Sequence, residues 1–359
     1  MSSKRRTTGL DRRHFLTAAG ATLAAPYLFI PRALAAQQVI VRTPGGAYDD
    51  IRREVIYGPF EKMTGIKVVP VAATTAKLLA MFRSGNVELD VIDTGDDPLV
   101  QLHKLGALLD IPYGDFQFTN PDDLKPEFKR DYLVGNFIYA SVLGYSTKAF
   151  PTGKEPQSWN DFWDIEKFPG DRMLADIASG TANLEFALIA DGVPMDKLYP
   201  LDIDRAFASL SRVRPAIRKF WDTGALSSQM LADGEVDLGS VWHTRIANII
   251  QDGAPLAIQW NQHMMMVQAY SIFKDARNRE AAVKFVDFCV SPEVQAEFCK
   301  RWNAGPVHQK AYDQLPKEML SRTPGSPELA DKGFVLDAEW WADNRQAVSQ
   351  KWSTWVLGG

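Results

Sequence analysis

Only two of the 359 residues are cysteines, Cys289 and Cys299, and no Cys-x-x-Cys pair occurs. That removes the common thiol redox and zinc-ribbon signatures. The two lie ten residues apart, so on one continuous helix they would be about 15 Å apart along the axis, beyond the roughly 7 Å that a disulfide spans. Ser291-Pro292-Glu293 between them reads as a fresh cap and first turn, so two helices meeting at an angle are the alternative. Both cysteines are expected to be small buried hydrophobes. The sequence also lacks a Gly-x-Ser-x-Gly elbow, a Walker loop and a His-Glu-x-x-His pair. Gly45-Gly46 follows the first strand without the third glycine of a dinucleotide signature, and the histidines at 14, 103, 243, 263 and 308 have no nearby Ser or Cys in sequence. No catalytic residue and no cofactor is expected. Beyond the N-terminus no run approaches the roughly 18 to 20 apolar residues that cross a bilayer.

A different composition marks the first 36 residues: Lys4-Arg5-Arg6, then Arg12-Arg13-His14-Phe15-Leu16, an apolar run from Thr17 to Ile30, and Ala33-Leu34-Ala35. Basic, apolar, then small residues is the order of an export signal, with cleavage expected near Ala35 and a periplasmic product. The arginine pair followed by Phe15-Leu16 resembles a twin-arginine signal; an ordinary secretory signal is the alternative. This segment holds six of the 40 Lys/Arg and one of the 44 Asp/Glu, so the remainder carries 34 basic against 43 acidic side chains, a net −9. Such an acidic chain without a basic stripe is not expected to bind nucleic acid, where phosphates must be neutralised by Lys and Arg.

With 46% hydrophobic residues the rest can bury a large core and form two domains. Strand-like Gln38–Arg42, Gly65–Val71 and Leu89–Thr94 alternate with helical patterns over Tyr48–Thr64, Thr74–Ser84 and Pro98–Lys104. That spacing predicts βαβ units, hence an α/β fold with a parallel or mixed sheet covered by helices. Gly135–Tyr145 is a long apolar run without helical period, suited to crossing between two lobes. Further strands are predicted over Arg172–Asp176, Leu238–Trp242, Leu256–Trp260 and Ala269–Phe273, with a helix opening at Ser179-Gly180-Thr181. The stretch Trp260–Tyr270, W-N-Q-H-M-M-M-V-Q-A-Y, is left as a link between two strands. Its histidine and methionines suggest Cu(I) ligands. On an extended segment, however, Met264 and Met266 converge while Met265 points away, which favours apolar filling or a pocket wall.

Five strand-end loops are of the kind that hold ligands in open α/β sheets: Gly45–Tyr48, Ala73–Thr75, Asp93–Asp96, Ser179–Thr181 and Trp242–Arg245. Where such a loop opens a helix, its free amides favour an anionic group.

Several segments together resemble one family: Gly45-Gly46-Ala47-Tyr48 with Pro59–Val68, Asp233–Gly239 running into Trp242, Ala281–Glu297 with its Ser-Pro-Glu-Val step, and Asp343-Asn344-Arg345 with Trp352 and Trp355. They are similar to the periplasmic solute-binding proteins of ABC transporters, spermidine/putrescine-binding type, from about Val39 to the C-terminus. The resemblance implies a two-lobed periplasmic binding protein fold (type II), each lobe a mixed sheet flanked by helices, joined by crossing hinge strands. It places residues 37–140 plus 262–307 in one lobe and 141–261 plus 308–359 in the other. It further implies a monomer that captures a small amine-containing solute, polyamine or amino-acid-like, and delivers it to a permease in the inner membrane, without covalent chemistry.

The candidate ligand-binding residues are Gly46, Ala47, Tyr48, Thr75, Asp93, Thr94, Ser179, Gly180, Thr181, Trp242, Arg245, Gln268 and Tyr270. Trp242 matches the family's pocket tryptophan, a face for methylenes or for an ammonium. Gln268 aligns with a position that is acidic in polyamine binders. Acids expected near Ser179–Ala182 are missing, with Glu185 three residues away. Because a buried dication needs carboxylates, the losses disfavour spermidine. Arg245 instead offers a bidentate donor to a carboxylate, unless it pairs with Asp252 or another acid. Amines stay open through Asp93, Asp96 and Tyr48. Two other readings are a ferric-ion receptor using Tyr48, Tyr145 and Tyr270, and an enzyme diverged from the binding-protein fold.

Overall fold

The computed structural model describes residues 37–358; the export segment 1–36, with its arginine pair and Ala33-Leu34-Ala35, lies outside the described residues. Strands β1 (Gln38–Thr43), β2 (Lys67–Ala72) and β3 (Val91–Gly95) form a parallel trio with β1 in the middle. Their connections are helical, as the alternating pattern predicts: Ala47–Arg52, Gly58–Thr64 and Thr75–Ser84, followed after β3 by Asp96–Lys104. The run predicted as one helix over Tyr48–Thr64 changes to a π-turn at Arg53–Tyr57. Its wider winding brings Arg52 and Tyr57, five residues apart, to one inward side. There Arg52 Nε donates to the Tyr57 hydroxyl at 3.0 Å.

After the two-residue β4 (Lys129–Arg130) comes β5 (Leu133–Ser146), the predicted crossing strand. A second parallel trio has β6 (Arg172–Ala175) between β7 (Ile217–Trp221) and β8 (Leu238–Trp242). The 17-residue β9 (Leu256–Ile272) runs antiparallel to β5 from Ser146↔Leu256 to Val134↔Tyr270. Short strands β10 (Gly305–Pro306) and β11 (Gly333–Val335) add to β5 and β9.

Register determines where the two trios point. Gly95 at the end of β3 is level with Gln268, which faces Phe137 of β5; Trp242 at the end of β8 faces Ser141. Since β3 runs with β5 and β8 runs against it, both trios aim their carboxyl ends at the middle of β5, four residues apart. That is where open α/β sheets take their ligands. Register shifts flank this stretch, at Gly135/Phe137 and at Ser141/Leu143. The first leaves Asn136 as the extra residue, the second lets β9 bulge over 260–263 with Gln262 at φ 64°. Bulges bend strands and re-aim side chains, here beside a crossing between two halves of the molecule.

Two expectations change. The stretch Trp260–Tyr270 is not a link between strands but the interior of β9, with Met264, Met265 and Met266 paired to Ser141, Ala140 and Tyr139. All three methionines are buried, because a central strand is covered on both faces and alternation exposes neither. Ser179-Gly180-Thr181 does not open a helix: a short turn, Ile177–Ser179, precedes a helix that starts at Leu184. Asn183, at φ 50°, ties this loop down, its Oδ1 accepting from Ala175 N at 2.8 Å and Ser240 Oγ at 2.7 Å. Residues 308–359 make contacts with elements of both trios. Their first part packs beside residues 123–125, through Lys310 Nζ to Asp123 at 2.6 Å and Lys125 Nζ to the Gly325 carbonyl at 2.9 Å. The helix Ala338–Leu357 touches both halves: Arg345 pairs with Asp97, while Trp341 donates to Glu185 and Trp352 to Asp176. Cys289 and Cys299 end up on separate helices, Arg279–Cys289 and Pro292–Trp302, as free buried thiols.

Candidate functional site

A cleft of about 760 Å³ opens where the two trios converge. Helices start at four of the five predicted loops, with Gly46, Thr74, Gly95 and Trp242 as N-caps, so their first-turn amides are directed at this space. Eleven of the thirteen candidate residues line it: Gly46, Ala47, Tyr48, Thr75, Thr94, Ser179, Gly180, Thr181, Trp242, Arg245 and Gln268. They come from 46 to 268 in sequence and are brought together by strand order alone.

Asp93 and Tyr270 are placed behind the wall rather than on it. Asp93 is fully buried and accepts from Tyr48 Oη (2.6 Å), Gln268 Nε2 (2.9 Å) and the bulge residue Asn136 Nδ2 (3.3 Å). Its counter-ion is Arg52, 3.4 Å away and also fully buried. Arg52 donates to Tyr48 Oη at 2.9 Å, to Tyr57 and to Tyr270, and the rings of all three tyrosines stand within 5.1 to 5.4 Å of its guanidinium. Burial lifts the Tyr48 and Tyr270 pKa well above the ordinary value, against the opposing pull of Arg52. Asp93 is therefore spent on internal partners and has no vacancy for a ligand amine. The amide at 268 follows from the same geometry: a carboxylate 2.9 Å from Asp93 would set two like charges in contact.

The proposed ferric ligands do not meet. Tyr48 and Tyr270 share Arg52, whereas Tyr145 faces Ala257 near the far end of β5, eleven residues from the Val134–Tyr270 pair and roughly 36 Å along the strand.

Trp242 is positioned by packing. Its ring stands edge-on to Trp221 at 5.5 Å and to Tyr139 at 5.9 Å, and Trp221 is itself fixed by donating to the Ser240 carbonyl at 2.8 Å. Gly224 lies beneath it: a Cβ there would come within 2.5 Å of Trp242 Cε3 and 3.2 Å of Arg245 Cγ. Gly224→Ala is accordingly expected to cost about 1–3 kcal/mol of stability by overpacking and to weaken any ligand held against Trp242. Thermal unfolding and ligand titration of the variant check this; wild-type values for both would remove Gly224 as the support of that face.

Arg245 is exposed to the cleft, with the Trp302 ring 5.4 Å from its guanidinium. Among the described residues it has no hydrogen-bond or ion-pair partner, Asp252 included. Lost hydration between the walls lowers its pKa. The other cleft arginine, Arg345, is neutralised by Asp97 at 2.8 Å. Sequence reading missed Arg52, Gly224, Arg345, Tyr139 and Trp302. Of these, only Arg345 stands in a segment that the sequence singles out, Asp343-Asn344-Arg345.

Residues 56–327 match the family of bacterial extracellular solute-binding proteins. The γ-aminobutyric acid-binding protein of Pseudomonas aeruginosa is 31% identical over 328 residues, 89% of this chain and 91% of that protein. The spermidine/putrescine-binding periplasmic protein of Salmonella typhimurium is 27% identical over 78% of this chain and 79% of its own length. Among solved structures, an ABC transporter substrate-binding protein from Bradyrhizobium japonicum superposes with a TM-score of 0.83 at 34% identity, covering 89% of this chain and 99% of that one.

Proposed function

Because the chain belongs to the bacterial extracellular solute-binding protein family, we propose that it is the periplasmic receptor of an ABC transporter for a small solute bearing both a carboxylate and an amine. After export and cleavage near Ala35, a monomer would close its lobes on the solute and deliver it to the inner-membrane permease. The observation that carries the carboxylate is Arg245: an arginine facing the cleft with no partner among the described residues, where a fork of donors suits a carboxylate. The tryptophan face of Trp242 and the apolar edges of Tyr139 and Trp302 suit the methylenes of a short chain. The Pseudomonas relative, which takes its name from a γ-amino acid, supports the same class.

The register shifts in β5 and β9 support the proposed division into lobes: residues 37–140 plus 262–307 in one, 141–261 in the other, with the crossing near 137–141 of β5 and 264–268 of β9 as the hinge. From 308 onward, the first part belongs with the first lobe and the C-terminal helix straddles both.

A thermal-shift screen of purified residues 36–359 against polyamines, amino acids and ω-amino acids tests this reading. A ligand at 100 times its Kd adds about 2.7 kcal/mol to stability. γ-Aminobutyrate and similar amino acids are expected to raise the midpoint, spermidine much less. Stabilisation by polyamines alone would overturn the carboxylate assignment, and turnover of any of these solutes would overturn the receptor assignment.

A further inference from the structure

One carboxyl group in the cleft remains unspent. Asp96 opens the nine-residue helix Asp96–Lys104, and its side chain lines the cleft at only 9% exposure. Its one hydrogen bond among the described residues comes from the next amide, Asp97 N to Oδ1 at 3.0 Å; Oδ2 has none. The surrounding charges are engaged elsewhere. Asp97 is held by Arg345 at 2.8 Å, Arg130 is held by Glu339 at 3.1 Å and by Tyr132 Oη at 3.0 Å, and the remaining titratable neighbour is Tyr139. Burial raises the Asp96 pKa to about 7, with Arg130 opposing and Asp97 adding to the rise.

We infer that Asp96 receives the ammonium group of the solute, which makes the site selective for a zwitterion spanning Asp96 and Arg245 over a polyamine. The inference rests on the receptor reading above and adds the partner for the second charge. With one open carboxylate and one open guanidinium, the cleft balances a molecule carrying one charge of each sign. A di- or trication would leave at least one ammonium without a counter-ion and would face Arg245 as well. Ionised Asp96 gains an ion pair on binding, while protonated Asp96 must first lose its proton, so binding releases protons below the pKa of the empty site.

Calorimetric titration of residues 36–359 with γ-aminobutyrate between pH 5 and 8 tests this, using buffers of differing ionisation enthalpy to count protons. Affinity is expected to be flat above about pH 7.5 and to fall roughly tenfold per unit below about 7, with close to one proton released per ligand at pH 6. Asp96→Asn should abolish the slope and the proton release and weaken binding at pH 8 by more than tenfold. The variant should remain folded: the raised pKa means that ionised Asp96 destabilises the empty protein as pH rises from about 4 to 7, so Asn at this position increases stability at pH 8. Unchanged affinity in Asp96→Asn, or a wild-type affinity without pH dependence, overturns the role of Asp96 alone. If no amine or amino acid binds at any pH, the receptor reading falls and this inference with it.

Discussion

Arg52→Met is expected to destabilise the protein by about 3–5 kcal/mol, the cost typical of removing one partner from a buried ion pair. Arg52 and Asp93 are both fully buried, and the other hydrogen-bond partners of the Asp93 carboxylate are neutral, two amides and a phenol; the Arg42 guanidinium donates to the main-chain carbonyl of Asp93 at 2.6 Å and not to its carboxylate. Methionine fills a similar volume among Tyr48, Tyr57, Tyr270 and Phe298 but leaves the carboxylate without a counter-charge and the three phenols without their common donor. The cost should fall mainly on the uncompensated charge. Asp93→Asn added to Arg52→Met is therefore expected to restore part of the loss, a non-additive pair as contacting residues show. Urea unfolding of the single and double variants measures this. A loss below about 1 kcal/mol in Arg52→Met, or strict additivity with Asp93→Asn, would show that the ion pair does not hold the cleft wall together.

The second large effect falls on binding. Arg245→Leu is expected to weaken a carboxylate-bearing solute by about 2–4 kcal/mol, roughly 30- to 1,000-fold in Kd, since in the closed cleft a charge-assisted bidentate contact is lost and the carboxylate is left unpaired. Stability should change little, because Arg245 has no partner in the empty protein among the described residues and only stacks near Trp302. Arg245→Lys retains the charge and loses the fork, so an intermediate affinity is expected. Titration of γ-aminobutyrate against all three forms reads the effect. Equal affinity in wild type and Arg245→Leu would take the carboxylate away from this residue.

These two arginines show what could be read in advance and what could not. Arg245 stands out in the sequence because it follows a motif tryptophan at the end of a strand, a setting that is local: a strand end, a helix start and a side chain three residues on. Arg52 carries a larger energetic burden, yet nothing in its neighbourhood in sequence announces it. Its partners are at 48, 57, 93 and 270, and the π-turn that turns it inward depends on packing against the rest of the molecule. The partners of Asp93 were similarly illegible, since a carboxylate at a strand end looks available until Asn136 at the bulge and the amide of Gln268 are seen to donate to it.

By itself the sequence determined the alternation of strand and helix, the crossing strand, the helix start at Thr74 and, through its motifs, the family; all depend on residues within a few positions of one another. Tertiary structure decided which charges face the cleft and which are consumed inside it. The physical reason lies in the sheet: two trios of opposite direction share β5 and β9, so groups more than 100 residues apart meet at one level, and whether a carboxylate is open depends on neighbours from all of them. Asp93 and Asp96 are three residues apart on one chain, but register hands the first four partners and leaves the second with an unused oxygen.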